Sequence, residues 1–123
     1  MWQVKTTSEF DEWFAGLDED GQVQLIAKVN LLKVLGPRLG RPHADTLNDS
    51  KHANLKELRA DTAKMVLRVA FAFDPDRVGL LLNGGNKSGV NQKRFYRQLI
   101  AKADELLDAH LAKLKTKRKG TEK

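Results

Sequence analysis

The chain has 123 residues, of which 41% are hydrophobic and 31% charged, so it is long enough for one globular domain with its own core. It contains no cysteine, which excludes disulfides, thiolate metal sites and a cysteine nucleophile. No apolar run approaches the roughly 18 residues of a membrane span. The first residues, WQVK after the methionine, are not typical of a signal peptide, so we expect a cytoplasmic protein with no membrane contact.

The net charge of +6 is concentrated in the second half of the chain. Residues 1–54 carry 6 lysines and arginines against 8 aspartates and glutamates, whereas residues 55–123 carry 16 against 8. A basic half of this kind is typical of proteins that bind polyanions, although basic domains also pair with acidic proteins.

The first half of the chain predicts one short strand and two helices. Residues 2–6 alternate apolar and polar side chains, which favours a strand. Apolar residues at helical spacing then predict helices near 8–17 and 20–35, the first with an S-x-x-D start at Ser8 and the second ending at Gly36. Residues 37–53 contain prolines, glycines and the sequence NDS, so we expect a long surface loop that carries His43 and His52.

The longest strand predicted by the sequence covers residues 64–73, KMVLRVAFAF. Strict alternation places one apolar set on a core face: Met65, Leu67, Val69, Phe71 and Phe73. The opposite face is expected to be a shallow surface of small residues, with the guanidinium of Arg68 at its centre and free to meet a ligand. The apolar run at residues 78–83 follows a Pro/Asp turn and predicts the hairpin partner of this strand.

These patterns together predict an α+β fold with the order β-α-α-β-β-β-α and a small, mostly antiparallel sheet flanked by helices. Strands are expected near 2–6, 55–60, 64–73 and 78–84, and a last helix near 91–114. His110 lies on the apolar face of that helix, where we expect it to be a satisfied core residue. We therefore predict a single domain over residues 1–115 and a basic tail over residues 116–123.

No familiar catalytic motif is present, but cations cluster around the predicted sheet. The glycine-rich NGGNKSG is not a phosphate-binding Walker loop, and the histidines lack metal-ligand spacing, so we expect neither a metal nor another cofactor. Arg68 could pair with Glu57 on the neighbouring strand, which would make it structural. Otherwise it forms part of a basic surface that we expect to bind an anion: Lys64, Arg68, Lys87, Lys93, Arg94 and Arg97, with Tyr96 among them.

Three motifs in this order resemble the RelE/HigB superfamily of bacterial toxins, and more narrowly its HigB-like branch related to phage Gp49 proteins. They are LKELR at residues 55–59, RVAFAFDP at residues 68–75 and LLLNGGNK at residues 80–87. The resemblance implies a RelE-like fold and ribosome-dependent cleavage of mRNA by attack of a 2′-OH on the adjacent phosphate. It also implies a cognate antitoxin, usually a helix-turn-helix protein, through which alone the toxin would reach operator DNA.

The resemblance also implies roles for individual residues. Arg68 falls on the family's central-strand arginine, which contacts the scissile phosphate, and Lys87 falls on its basic residue after the last strand. Lys56 and Glu57 lie in the strand where relatives carry a lysine, in a different register, so either side chain could face the site. Tyr96 lies near a tyrosine used by some RelE-type toxins, and His52 is a candidate base. The expected RNA contacts lie around this site and in the tail, where they would meet ribosomal RNA: Lys64, Lys93, Arg94 and Arg97, then Lys115, Lys117, Arg118 and Lys119.

Two alternatives to mRNA cleavage stay open at this point. One is a RelE/ParE-fold toxin with another target, such as gyrase. The other is a non-catalytic RNA- or protein-binding module. Arg68 and Lys87 within reach of one phosphate on an open face would favour the nuclease, whereas an Arg68–Glu57 pair under a covering helix would favour the module.

Overall fold

A computed structural model describes residues 1–121, with side chains described as far as Lys117. Residues 1–121 form five strands, three helices and one 3-10 turn, in chain order: β1 (Val4–Thr6), α1 (Ser8–Ala15), α2 (Glu19–Leu35), the 3-10 turn (Gly36–Arg38), β2 (Ala44–Thr46), β3 (Lys56–Asp61), β4 (Val66–Phe73), β5 (Gly79–Asn86) and α3 (Gln92–Thr121). The α+β class and the predicted element order are confirmed, with one additional strand.

The strands form one sheet in the order β1-β5-β4-β3-β2. β1 runs parallel to β5, and the other neighbours are antiparallel, which confirms the mostly antiparallel sheet. The additional strand, β2, lies in the stretch predicted to be a loop and pairs with β3 from Ala44↔Leu58 to Thr46↔Lys56. Three residues are too few to show an alternating pattern, so this strand has no sequence signature of its own.

Side-chain caps set the start of the first two helices. Thr7, not Ser8, is the N-cap of α1, and its hydroxyl accepts a hydrogen bond from the backbone N–H of Phe10 at 3.0 Å. Asp18 caps α2 by accepting from the N–H of Gly21 at 2.8 Å. Each cap satisfies a backbone donor that the helix itself leaves unpaired. The boundaries of α1 and α2 therefore follow from local chemistry.

One face of the sheet packs against α1 and α2, as the alternation in β4 predicts. Leu67, Val69 and Phe71 are buried there against α2 residues that include Leu25 and Leu32. Each such side chain contributes about 1.5–3 kcal/mol when fully buried. This face is the main core of the protein.

The other face was predicted to be a shallow open surface, and this prediction is wrong. Ala70 and Ala72 are fully buried there in a second core built against α3, which contributes Leu99, Ala103 and Leu107. The small alanine side chains allow the helix to approach the sheet closely. The apolar stripe of α3 needs a partner, and this sheet face supplies it.

The predicted end of the last helix at residue 114 is also wrong, because α3 continues to Thr121. The apolar stripe of α3 ends near residue 114 because the packed part of the helix ends there. Lys, Arg and Thr residues beyond it continue the helical backbone without packing on the sheet. Lys115 and Lys117 are therefore exposed on helical backbone, while the side chains of Arg118 and Lys119 lie outside the described residues. Despite its 30 residues, α3 is not apolar enough to cross a bilayer, and neither is any other helix within residues 1–121.

Gly84 gives a stability prediction for this fold. A Cβ at Gly84 would lie 2.4 Å from the Trp13 ring of α1, so the Gly84→Ala protein must shift a rigid side chain out of the core. We expect a loss of about 1–3 kcal/mol in the free energy of unfolding, measured by urea denaturation. Gly40→Ala is the matched control, since the nearest atom to its Cβ would be the Arg38 carbonyl oxygen at 3.9 Å. Equal midpoints for the two variants would contradict the packing described here.

Candidate active site

A groove lined by both charged and apolar side chains lies between α3 and the segment around β2, on the sheet face that α3 covers. Its volume is about 930 Å³. One end is lined by cations and Tyr96 from the start of α3 and the end of β5, the opposite wall by residues 45–49, and the floor by β3. The side chains used below are Glu57, Arg59, Lys87, Lys93, Tyr96 and Arg97.

Glu57 is the centre of a hydrogen-bond network in the floor of the groove. Glu57 is 3% exposed, and its Oε1 accepts a hydrogen bond from the Tyr96 hydroxyl at 2.8 Å. Oε2 accepts from Arg59 Nε at 3.1 Å and from Nη2 at 3.0 Å. A buried carboxylate needs such partners, because desolvation of an unpaired charge costs several kcal/mol.

Tyr96 connects this carboxylate to Lys87. The Lys87 ammonium donates to the Tyr96 hydroxyl at 3.3 Å and lies 5.2 Å from the centroid of its ring. Burial and the positive charge of Arg68 lower the pKa of Lys87, with a smaller contribution from Arg59. Burial and the hydrogen bond to Glu57 raise the pKa of Tyr96, so its hydroxyl remains a proton donor at neutral pH.

The guanidinium of Arg68 is not free to meet a ligand, and the prediction that it is free is wrong. Arg68 is 7% exposed, and its Nη1 donates to Asp61 Oδ1 and to the Leu67 carbonyl, both at 2.8 Å. Its Nε lies 3.7 Å from Glu57 Oε1 and has no hydrogen-bond partner among the described side chains and backbone. The cause is α3, which covers this face of β4, so the ion pair that the sequence left open as an alternative is present.

Arg68 therefore gives a stability prediction. The Arg68→Ala protein should lose about 3–5 kcal/mol of unfolding free energy, because its removal leaves charges in and beside the core without their partner. The Arg97→Ala control removes an exposed cation of the same groove and should change the stability by less than about 0.5 kcal/mol. Guanidinium denaturation of both variants measures the difference. An unchanged midpoint for Arg68→Ala would contradict the structural role.

Two other predicted catalytic residues lie elsewhere. Lys56 is on the opposite face of β3 from Glu57, and its ammonium donates to the Pro37 carbonyl at 3.3 Å. His52 Nε2 contacts Asp108 Oδ1 of α3 at 2.8 Å. Asp108 is twelve residues beyond Tyr96, about 18 Å along the helix at 1.5 Å per residue. The structure thus brings neither residue to the groove.

The predicted RNA-binding cations divide into three groups. Lys93 and Arg97 line the groove beside Tyr96, while Arg94 points into a neighbouring cleft between α3 and β5. Lys64 is exposed just before β4, and its carbonyl oxygen accepts from the Ser88 hydroxyl at 3.4 Å, next to Lys87 in the chain. Lys115 and Lys117 are on the distal part of α3 and do not contribute to the groove.

Arg59 was not among the predicted site residues, and Glu57 was considered as an ion-pair partner of Arg68 and as a neighbour of Lys56, without a catalytic role. In β3 they are two residues apart and share the α3 face with Arg68, since Arg59 is opposite Arg68 and Glu57 opposite Ala70. The alternation of side chains along the strand LKELR could have shown that Glu57 and Arg59 share one face. His110 has the hydrogen-bond partner that was expected, since its Nε2 lies 2.8 Å from Asp74 Oδ2. Within residues 1–121, no group of three or more acidic, cysteine or histidine side chains is placed to hold a metal.

Comparisons with known proteins agree with this fold. The sequence matches the family model of the phage-derived Gp49-like proteins (DUF891) over residues 12–108. It is 42% identical over 104 residues to the putative toxin HigB3 of Mycobacterium tuberculosis H37Rv, covering 85% of this chain and 89% of that protein. It is 40% identical over 101 residues to the putative toxin HigB2 of the same organism, covering 81% of this chain but 50% of that protein.

Two solved structures share the fold at low sequence identity. A free-state mutant of the Escherichia coli toxin RelE superposes with a TM-score of 0.59 at 11% identity, over 82% of this chain and 95% of RelE. The archaeal RelE–RelB complex from Pyrococcus horikoshii OT3 matches with a TM-score of 0.53 at 15% identity, over 72% of this chain and 98% of the matched one. By the family match and the identity to HigB3, this chain belongs to the Gp49-like family, which it shares with HigB-type putative toxins, and it has the fold of the RelE toxins.

Proposed function

We propose that this toxin inhibits translation by cutting mRNA on the ribosome, with the 2′-OH of one nucleotide attacking the adjacent phosphate. The observation that carries the proposal is the connected series Lys87–Tyr96–Glu57–Arg59 in one groove. It combines cations with a proton route, which are the two things this reaction needs. The reaction as proposed uses no metal or other cofactor.

The cations of the groove act on the phosphate. Lys87 is partly buried at the cationic end, and the Arg59 side chain is 28% exposed in the floor. Negative charge grows on the non-bridging oxygens as the 2′-oxygen attacks, and fixed cations in a partly desolvated groove stabilise that charge more strongly than water does. We assign the phosphate contact to Lys87 and Arg59, in place of the buried Arg68.

Tyr96 and Glu57 form the route for the proton of the 2′-OH. The Tyr96 hydroxyl accepts this proton while it passes its own to Glu57 Oε1, 2.8 Å away. Lys87, whose pKa is lowered by burial, gives a proton to the departing 5′-oxygen. The products are a 2′,3′-cyclic phosphate and a 5′-hydroxyl, and Arg68 acts as a positioning residue that holds Glu57 from beneath.

We further propose that an antitoxin binds this toxin, with helix-turn-helix operator recognition on the antitoxin's side. The P. horikoshii relative of the fold is solved as a RelE–RelB complex. Lys64, Lys93, Arg94 and Arg97 would contact mRNA near the groove, and the distal lysines of α3 would contact ribosomal RNA. Lys115 is nineteen residues beyond Tyr96, so that second contact would be about 28 Å from the groove.

Cleavage on programmed ribosomes tests the proposal. Purified toxin, 70S ribosomes and a defined mRNA should give new 5′ ends within the ribosome-covered codons, and mRNA without ribosomes should stay intact. Primer extension maps the ends, and a 2′-deoxy substitution at the mapped position should abolish the cut. Intact mRNA on ribosomes, with growth arrest still observed in cells, would contradict the nuclease.

A non-catalytic binding module is the second candidate, and the Arg68–Glu57 ion pair beneath α3 is the observation that favours it. Such a module would bind ribosomes and leave the message whole. Sedimentation of toxin with ribosomes, measured beside the cleavage assay, separates the two. Binding without new 5′ ends would support the module.

A further inference from the structure

The groove changes in character along α3. Its cationic end, where Lys87 lies beside Tyr96, takes the phosphate in the proposed reaction. The middle is apolar, because Leu47 lines it from the outer wall and Ile100 and Ala101 line it from the helix. The far end is polar again. A nucleotide has the same order of chemistry, since an anionic phosphate is followed by the apolar faces of the base and then by its polar edge.

The far end of the groove contains one carboxylate that is not committed to a partner. Asp45, Glu57 and Asp104 also line the groove, but each of them accepts hydrogen bonds or forms ion pairs within the protein. Asp49 and its neighbour Asn48 are exposed, and neither side chain has a partner in the part of the chain whose side chains the structure describes. Asp49 is therefore available to a ligand.

The loop that carries Asp49 is held against α3. Ser50 Oγ donates to Asp104 Oδ1 at 2.5 Å, and the backbone N–H of Lys51 donates to Asp104 Oδ2 at 3.3 Å. The Lys51 ammonium also pairs with Asp108, one turn further along the helix. These contacts fix the backbone directly after Asp49, so its carboxylate extends from a wall with a defined position.

The separation of the two polar ends suits one nucleotide. Asp104, which holds the loop next to Asp49, is eight residues beyond Tyr96, so the two lie about 12 Å apart along the axis of α3. The reach of a nucleotide from its phosphate to the edge of its base is of the same size. A nucleotide with its phosphate at Lys87 can thus bring its base edge to Asp49.

A carboxylate distinguishes the four bases by their hydrogen-bond donors. An ionised carboxylate accepts hydrogen bonds and donates none, so it favours a base edge with two adjacent N–H groups. Guanine has this edge in N1–H and the exocyclic N2 amine. Adenine and cytosine have a ring-nitrogen acceptor beside the amine, and uracil has a single N–H between two carbonyl oxygens, so each of these brings an acceptor close to the carboxylate.

We propose that Asp49 reads the base of a nucleotide next to the cut and selects guanine, by accepting hydrogen bonds from its N1–H and N2 amine. The edge is free for this contact in single-stranded RNA, where sequence-specific recognition uses the Watson–Crick side of unpaired bases. The inference rests on the proposed cleavage, because it uses the phosphate position assigned there. It adds a sequence preference to that reaction and a role for the loop after β2.

Binding of 5′-mononucleotides tests the base preference apart from cleavage. The full chain, freed from antitoxin and isotope-labelled, is titrated with GMP, IMP, AMP, CMP and UMP while the backbone amide shifts are followed by NMR. GMP should shift the amides of residues 48–51 and bind about five- to tenfold more tightly than IMP, which lacks only the N2 amine. Asp49→Asn should bring the two affinities to within about twofold, because the amide replaces one acceptor by a donor.

Asp11→Asn is the matched control, since it makes the same change at an exposed position of α1 that does not line the groove. It should keep the preference for GMP over IMP. Equal binding of GMP and IMP by the unmutated chain would overturn the inference, and so would an undiminished preference in Asp49→Asn.

Cleavage on programmed ribosomes tests the same contact in the reaction. Messages with guanosine or inosine at each nucleotide flanking the mapped cut should differ in kcat/KM by about tenfold at one of the two positions, and Asp49→Asn should remove most of that difference. Cleavage that is equal for guanosine and inosine at both positions would overturn the inference and leave the nuclease in place. Guanine-selective binding that is lost in Asp49→Asn, without cleavage of any message, would contradict the nuclease and support Asp49 as the base contact.

Discussion

Glu57→Gln is expected to reduce the cleavage rate on programmed ribosomes by about 10²–10⁴-fold. Glutamine has the same shape and keeps an oxygen for the Tyr96 hydroxyl, but it cannot take up a proton at neutral pH. Loss of the charge also weakens the bonds from Arg59, which should cost about 1.5–3 kcal/mol of unfolding free energy. Single-turnover cleavage and chemical denaturation measure the two effects separately.

Asp61→Asn is the control for Glu57→Gln. Asp61 is the other acidic partner of Arg68, but its side chain is 60% exposed and it does not line the groove. We expect a small change in stability and cleavage within a few-fold of the original protein. A folded Glu57→Gln protein that cleaves as fast as Asp61→Asn would rule out Glu57 as the proton acceptor.

Lys87→Met is expected to lower the cleavage rate by about 10²–10³-fold, the usual effect of removing one contact that stabilises transition-state charge. Methionine keeps the unbranched shape, so the contact with the Tyr96 ring is retained without the charge. The melting temperature should stay the same or rise slightly, because the ammonium is partly desolvated in the folded protein. Loss of activity without loss of stability distinguishes Lys87 from Arg68.

Lys64→Met is the matched control, since Lys64 is an exposed lysine at the same end of the sheet but outside the groove. It should reduce ribosome affinity modestly and leave the cleavage rate at saturation nearly unchanged. Equal rates for the two methionine variants at saturation would contradict the assignment of Lys87.

The pH dependence gives an independent check on Lys87. The protonated amine donates to the leaving oxygen, so activity should be present below its pKa and fall as pH rises through it. Burial and Arg68 lower that pKa from 10.5, so the alkaline fall should occur below pH 10.5. Lys87→Arg should move the fall to higher pH, because guanidinium does not deprotonate in this range. An unchanged alkaline limb would show that another group donates the proton.

The main core and the first two helices followed from the sequence alone, because their signals are local. Alternation over residues 64–73 identified Leu67, Val69 and Phe71 as core residues. The S-x-x-D start and the helical spacing of apolar residues placed the two N-termini to within a residue, although Thr7 is the actual cap of the first helix. Caps and apolar periods act within one or two turns, so no tertiary information is needed to recognise them.

The site was only partly predictable. The motif LLLNGGNK brought Lys87 to attention, and the structure places it beside Tyr96 as one candidate group. The burial of Arg68 and the central place of Glu57 depend on which strands are neighbours and on which sheet face α3 packs. A period of two assigns side chains to faces, but it does not say which face a distant helix will cover.

His52 and Lys56 show that sequence chemistry also predicts site residues that lie outside the groove. Both carry suitable chemistry and lie close in sequence to Glu57, yet one is held by Asp108 far along α3 and the other faces the Pro37 carbonyl across the sheet. The sequence determined four of the five strands in the described residues, the helix starts, the basic charge and the family. Only the tertiary structure decided which of the charged side chains share one groove. Their placement depends on the strand register and on how α3 packs on the sheet, and α3 begins more than eighty residues after the first strand ends.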